Sequence, residues 1–263
     1  MQDRNFDVIA EKFSQNIYGT SKGRLRQAIL WQDLDAILSA FPSGPLKVLD
    51  AGGGEGQTGC GVAARGHQVL LCDVSKVMLE RAASLAAEKG VSDNMQFKQS
   101  SVQTIGQHLD TPVDLVLFHA VLEWVSDPEL ALKALWDVLA PGGVLSLMFY
   151  NSQFAILRGM QKGWFEHINE GLPKNLRRKS KLTPTWPREP NVVYTWLQNQ
   201  GFEIEGKTGI RVFHDYVHDK KLPNEKFAEL LEAESRYCRQ EPWISLGRYI
   251  HVTARKPIQK DAL

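Results

Sequence analysis

The chain has little cysteine, almost no net charge and no long apolar run, and each shortage excludes something. Cys60, Cys72 and Cys238 are the three cysteines, and none shares a short spacing with another. Disulfide frameworks and structural zinc sites both need grouped thiols, so the pattern fits a reducing cytosol. Lys and Arg number 31 against 30 Asp and Glu, a net charge of +1. No global field draws in a polyanion, so such a partner must be met by a local patch. No apolar stretch has the length of a bilayer span, and the polar start Met1-Gln2-Asp3-Arg4-Asn5 is unlike a secretory signal. Internal repeats and low-complexity tracts are missing too. What remains is 263 residues, 43% of them hydrophobic. That suits one large α/β domain, or a core with a modest addition, and the expected location is cytoplasmic, away from membranes.

Glycine, by contrast, is concentrated. Val48-Leu49-Asp50-Ala51-Gly52-Gly53-Gly54-Glu55-Gly56 runs from β-favouring residues into an acid and then four glycines within five positions. Such a loop ends a strand abruptly and lets a ligand lie against the main chain, with the N–H groups of the next helix pointing at it. An adenosine-containing ligand is expected. Gly54-x-Gly56-x-x-Gly59, with Asp73 following, formally fits the dinucleotide pattern. Asp50 argues the other way. A pyrophosphate over this loop would be repelled by an acid at the strand end, whereas the sulfonium and ammonium of S-adenosylmethionine would be attracted. Asp73 suits a ribose diol in either case.

Before the first strand, Phe6, Ile9, Phe13 and Ile17 recur at helical spacing. Tyr18 to Gly23 break the pattern. A second helix is expected from about Leu25, with Ile29, Leu30, Leu34, Ile37 and Leu38 on one face, ended by Pro42, Gly44 and Pro45. Residues 1–45 read as an N-terminal helical cap or lid that brings Arg26 to the cofactor's carboxylate. From 46 onward, strands at 47–50, 69–73, 95–99, 113–118 and 144–150 alternate with helical stretches near 57–65, 75–89, 101–108 and 129–139. This is a doubly wound, mostly parallel α/β sheet, in which functional residues gather at the carboxyl ends of the strands. Those ends carry Asp50 to Gly56, Asp73, Ser101 to Gln103, and His119. Val102 is placed against the adenine face and Gln103 at its edge. Glu123, Trp124 and Asn151 are candidates for the substrate mouth. Ala140-Pro141-Gly142-Gly143 reads as a turn.

Residues 152–190 change character. Arg158, Lys162, Lys174, Arg177, Arg178, Lys179, Lys181 and Arg188 face only three acids, and Trp164, Phe165 and Trp186 are interleaved. The segment is either a solvated lid or a surface for a phosphate backbone. An insertion after the fifth strand covers the reactive end of the cofactor in this fold, so substrate is read there. A helix near 191–200 and another from about Asn224 to Tyr237 follow. The strands 202–207 and 247–254 are expected to pair as an antiparallel hairpin. His214-x-x-x-His218 has a metal-binding spacing, but no ligand cluster supports it and no metal is expected.

The glycine loop, Asp73 and the closing strand pair resemble class I S-adenosylmethionine-dependent methyltransferases, of Rossmann-like fold. More closely, the chain is similar nearly end to end to bacterial tRNA 5-carboxymethoxyuridine methyltransferases. Arg4-Asn5-Phe6-Asp7, Tyr18-Gly19-Thr20, His119 to Trp124 and Ser146 to Asn151 carry that match. Gly206 to Tyr216 (Gly-Lys-Thr-Gly-Ile-Arg-Val-Phe-His-Asp-Tyr) and Arg236 to Pro242 (Arg-Tyr-Cys-Arg-Gln-Glu-Pro) are its most specific stretches. The resemblance implies cofactor contacts at Arg26, Gly52, Gly53, Asp73, Val102, Gln103 and His119, to which the charge argument adds Asp50. It implies tRNA processing: methyl transfer to the carboxylate of 5-carboxymethoxyuridine at the wobble position, with the tRNA anticodon loop as partner. Arg211 and His214 are assigned to hold that carboxylate. A general base is not expected, because the nucleophile is already ionised at neutral pH. The alternatives are a methyltransferase of a small metabolite and a dinucleotide-dependent oxidoreductase.

Overall fold

The computed structural model describes residues 20–171, 184, 186–219 and 221–258. Its frame is one seven-stranded sheet. The strands are β1 Lys47–Ala51, β2 Gln68–Asp73, β3 Met95–Gln99, β4 Val113–His119, β5 Leu139–Tyr150, β6 Glu203–Ile210 and β7 Tyr249–Arg255. They lie in the order β3-β2-β1-β4-β5-β7-β6. The first five are parallel, and β7 runs antiparallel between β5 and β6. The helices are α1 Ser21–Ser39, α2 Gln57–Ala63, α3 Lys76–Glu88, α4 Pro128–Val138, α5 Ser152–Met160, α6 Phe165–Asn169, α7 Pro190–Gln200, α8 Leu222–Glu225, α9 Phe227–Tyr237 and α10 Trp243–Leu246.

Both faces of the sheet are covered, so its strands are apolar on both sides and their alternation sorts residues between two cores. On β5, Leu145, Leu147 and Phe149 join Leu132 and Leu135 of α4 and Val193 and Leu197 of α7. Val144 and Met148 point the other way, toward Ile29, Leu30 and Leu34 of α1 and Ala82 and Ala86 of α3. Ser146 lies between these two, a fully buried hydroxyl on an otherwise apolar face. Helix starts are fixed locally. Ser75 accepts from Met78 N at 3.1 Å, Asp127 from Leu130 N at 3.0 Å, and Glu189 from Val192 N at 2.8 Å. Such caps contribute about 1 kcal/mol each.

The doubly wound order matches the expectation, and several boundaries do not. The loop after β1 enters α2 through Gly56 at φ 76, and the helix ends at Ala63 rather than 65. The 101–108 segment is a 3-10 helix from Val102 to His108. Ala140 to Gly143 are not a turn before β5. They belong to it, as a bulge that shifts the β4 register between Val113 and Leu115. β6 runs three residues beyond its expected end and pairs antiparallel with β7 as expected, with three helices in the connection where one was expected. The helix expected over 224–237 is broken at Lys226.

The 1–45 expectation divides. Phe6, Ile9, Phe13 and Ile17 lie outside the described residues, as do Arg4 to Asp7, Tyr18 and Gly19. Helix α1 starts at Ser21, capped by Thr20, so the break expected through Gly23 is its first turn. It buries Ile29, Leu30, Leu34 and Ile37 in the sheet's own core.

Candidate active site

Parallel strands end together, so their carboxyl-terminal loops converge. One cavity opens there. Among the residues that line it are all eight expected cofactor contacts: Arg26, Asp50, Gly52, Gly53, Asp73, Val102, Gln103 and His119. Trp124 and Met148 close it from the β4 and β5 sides, and Thr58 and Met78 from α2 and α3.

The glycine loop is shaped by contacts as well as by conformation. A Cβ on Gly52 would come within 2.7 Å of Val121, and one on Gly53 within 2.7 Å of both Asp50 and Leu71. Gly54 holds φ at 56 and donates to Asp73 Oδ2 at 3.0 Å, while Asp73 Oδ1 accepts from Ser75 N at 2.8 Å. The loop thus fixes the acid that ends β2. Ala120, just past β4, also has a left-handed backbone at φ 58, its N–H tied to Met148 O at 2.7 Å. A non-glycine residue there costs of order 1 kcal/mol or more and persists only where its surroundings enforce it.

Asp50 is buried. Its one recorded hydrogen bond comes from Gly59 N at 3.1 Å, and no cation pairs with it among the described residues. Burial pushes its carboxyl up to about 7, the Gly59 N–H pulls the other way, and Asp73 raises it further. A carboxylate held in a cavity without a counter-charge is the complement of a cationic ligand. His119 lines the same cavity, and its Nδ1 is buried with no hydrogen-bond partner. Glycines that leave room along the main chain, a fixed acid at the end of β2 and an unpaired acid at the end of β1 fit the sulfonium cofactor expected from the sequence.

Arg211 and His214 do not line this cavity. They belong to a second cluster reached across Arg26, whose guanidinium lies 5.9 Å from the Tyr249 ring centre. Arg211 is buried at φ 65, and its Nη2 donates to Asp215 Oδ1 at 2.6 Å. Arg248 Nη1 reaches the same oxygen at 3.1 Å. Burial would raise the Asp215 carboxyl, but Arg211 and Arg248 hold it below the usual range. Lys22, at the start of α1, is pushed down by burial and then by Arg211 and Arg248. Three cations thus face one aspartate, and the Nε atoms of Arg211 and Arg248 are buried without hydrogen-bond partners. His214 also faces this acid, its Nδ1 4.0 Å from Asp215 Oδ2, while its Nε2 shares a hydrogen bond with Ser21 Oγ at 3.2 Å and its main-chain N–H donates to Glu234 at 2.9 Å. It sits on a 3-10 turn, so the His214–His218 helical spacing is not formed.

Two other expectations change role. Arg188, counted among the insertion's cations, gives its guanidinium to Leu122 O at 2.8 Å and Val125 O at 2.6 Å, clamping the insertion's return to the loop after β4. Asn151 caps α5 and donates to Ser245 O and Gly247 O, which makes it a structural residue. Glu123 is fully buried beneath this clamp, and burial raises its carboxyl to about 7. Lys174, Arg177, Arg178, Lys179 and Lys181 lie outside the described residues. Among the described residues no group of His, Cys, Asp or Glu is placed to hold a metal ion, and no helix is long and apolar enough to cross a membrane.

A methyltransferase-domain family model matches residues 49–147, the span that builds the cavity. The tRNA 5-carboxymethoxyuridine methyltransferase of Escherichia coli K12 is 60% identical over 261 residues, covering 99% of each chain. This chain belongs to that family. The protein of the same description from Escherichia coli O157:H7 matches equally, at 60% over 261 residues and 99% of each chain. Among solved structures, magnesium protoporphyrin IX methyltransferase from Synechocystis PCC 6803, determined with bound SAH, superposes with a TM-score of 0.64. It is 14% identical over 95% of each chain, a likeness of fold. The chain is therefore a methyltransferase of class I architecture.

Arg248 and Lys22 were not singled out from the sequence for this site. Lys22 was visible as one of three cations at the α1 start, but nothing in the linear order joins it to Arg248.

Proposed function

We propose that this methyltransferase binds S-adenosylmethionine in the cavity and methylates the carboxylate of 5-carboxymethoxyuridine at the tRNA wobble position, forming the methyl ester. The observation that carries this reading is the pairing of opposite sites. The cavity holds an acid, Asp50, that no cation among the described residues pairs with, and across Arg26 and Tyr249 three cations converge on one acid. When bound, the cofactor supplies a methyl group on a positively charged sulfur that leaves as a neutral thioether. Asp50 supplies negative charge toward that cation, Asp73 accepts from the ribose hydroxyls, Val102 packs on the adenine with Gln103 at its edge, and Gly52 and Gly53 admit the ligand to the main chain. Arg26 takes the cofactor's carboxylate.

Arg211, with Arg248 and Lys22, receives the substrate carboxylate through donors the fold leaves open, and the Tyr150 and Tyr249 rings flank it. His214 acts with them by tying Ser21, and so the start of α1, against this cluster. An ionised carboxylate needs no general base, so the chain's task is in-line placement and exclusion of water. The 152–190 segment, whose returning end Arg188 ties to the loop after β4, meets the anticodon loop, and the cytoplasm supplies that tRNA.

The test is a nucleoside analysis. Bulk tRNA carrying unesterified 5-carboxymethoxyuridine is incubated with the protein and methyl-labelled S-adenosylmethionine, digested, and separated by mass. A labelled, alkali-labile ester on that nucleoside is the expected result. Cofactor binding with every tRNA nucleoside unlabelled overturns the substrate and favours a small-metabolite acceptor; absence of cofactor binding overturns both.

A further inference from the structure

Behind His119 runs a buried hydrogen-bonded chain that crosses the sheet. His119 Nε2, at the end of β4, lies 2.8 Å from Ser146 Oγ on β5. Ser146 Oγ lies 2.8 Å from His251 Nε2 on β7, and His251 Nδ1 lies 2.8 Å from Asp33 Oδ2 on α1. Ser146 and His251 are 0% and 1% exposed, so water does not substitute for any link. The Asp33 carboxyl would be raised by burial, yet hydrogen bonds from His251, Thr208 and Arg239 bring it down to about 2. At neutral pH it is ionised and only accepts.

With His251 neutral, that places every proton along the line, because each atom's role decides its neighbour's. Asp33 accepts, so His251 carries its proton on Nδ1. A neutral His251 then has a bare Nε2, which accepts the Ser146 O–H. Ser146 Oγ has its lone pairs left, so it accepts from His119 Nε2–H. His119 is thereby left with a bare Nδ1, the one nitrogen of the four in these rings without a partner.

We propose that Asp33, His251 and Ser146 are positioning residues that hold His119 in the tautomer presenting Nδ1 to the cavity as a hydrogen-bond acceptor, suited to an N–H of a cationic ligand. This rests on the reading of the cavity as a site for the sulfonium cofactor, whose ammonium is such a donor. The relay explains why a serine interrupts the apolar face of β5, and why a histidine is buried in the middle of β7 against an aspartate. The charged or titratable groups facing His251 are Asp33 and His119, with Arg239 and Cys238 behind Asp33. Those facing His119 are His251 and Arg26, which together with its burial keep its imidazole neutral.

The experiment is long-range proton–nitrogen NMR on the histidine-labelled, ligand-free protein, with calorimetry of S-adenosylhomocysteine in parallel. In the wild type at pH 8, His119 is expected as a single Nε2–H tautomer. In Ser146→Ala it is expected to populate both tautomers, and affinity for S-adenosylhomocysteine is expected to fall about tenfold. A wild-type His119 protonated on Nδ1, or a Ser146→Ala spectrum with an unchanged tautomer, overturns the proposal. Should Ser146→Ala not fold, Asp33→Asn serves instead, with His119 expected to populate both tautomers once the acceptor that orients His251 is replaced by an amide. A His119 tautomer that stays single in Asp33→Asn overturns it. The spectra need no ligand, so failure of the relay is told apart from failure of the cofactor reading, which shows as wild-type protein that binds no S-adenosylhomocysteine.

Discussion

In the cavity, Asp50 is buried beside Asp73 and given no cation; on the far side of Arg26 and Tyr249, Asp215 is given more cations than it can use. The first carboxyl is pushed up to about 7 and the second is held down. Both departures come from charges buried out of balance, in opposite senses. A fold selected for stability alone would cancel them by pairing acids with bases. Keeping them apart costs folding energy and leaves one site short of a cation and its neighbour short of an anion, the two charges that methyl transfer from a sulfonium to a carboxylate brings together. Each site also contains a non-glycine residue in the left-handed region, Ala120 in one and Arg211 in the other, the only two among the described residues. Strain and unbalanced charge coincide.

The sharpest way to break the contrast is to crowd the buried acid from the glycine loop. Gly53→Val places carbons where Asp50 and Leu71 already lie 2.7 Å from a bare Cβ. Calorimetry with S-adenosylhomocysteine is expected to show binding lost altogether, with the fold retained by circular dichroism. Next comes the other side. Arg211→Ala is expected to reduce kcat/KM by on the order of a hundredfold, while affinity for S-adenosylhomocysteine stays near wild type. Equal loss of both removes Arg211 from the substrate side.

A third test sharpens the comparison through pH. With its pKa near 7 in the free protein, Asp50 is protonated below that pH, and a bound cation favours the carboxylate. Binding therefore expels a proton in acid, and affinity for S-adenosylmethionine is expected to fall as pH drops from about 7 toward 5 and to level off above 8. In the same window, this raised pKa makes the ligand-free fold more stable as pH falls, because the folded state holds a proton that the unfolded state has released. Asp50→Asn is expected to flatten both dependences. The smallest effect is on stability. Arg211→Gly is expected to melt slightly above Arg211→Ala, since only glycine adopts φ 65 without cost, a difference of about 1 kcal/mol seen as a few degrees in Tm.

The cavity was legible because its residues occupy successive strand ends, each next to a local signal: four glycines, an acid closing an apolar run, a histidine after Leu-Phe. The parallel topology turns that linear order into proximity. Arg211 stood out inside a distinctive stretch, but its partner Arg248 did not, because an arginine before a C-terminal strand has no local mark. The relay was invisible for a stronger reason. Ser146 and His251 are 105 residues apart, and His251 and Asp33 are 218 apart, and each alone reads as an ordinary strand or helix residue. Arg188 shows the opposite failure. Its charge was legible and suggested a phosphate, whereas three-dimensional structure gives it two carbonyls. Composition reports what a side chain can donate, and only packing reports to whom.

The antiparallel strand β7 has a further consequence for how the protein is made. It is the last of the seven strands to leave the ribosome, yet it lies inside the sheet, between β5 and β6. Until it arrives, those two strands have open hydrogen-bonding edges, the kind of surface on which unfinished chains associate. The same strand carries His251, and Arg248 and Tyr249 sit at its start. A growing chain therefore completes its glycine loop long before it acquires Arg248, Tyr249 and His251, the residues that close the far side of Arg26 and back His119.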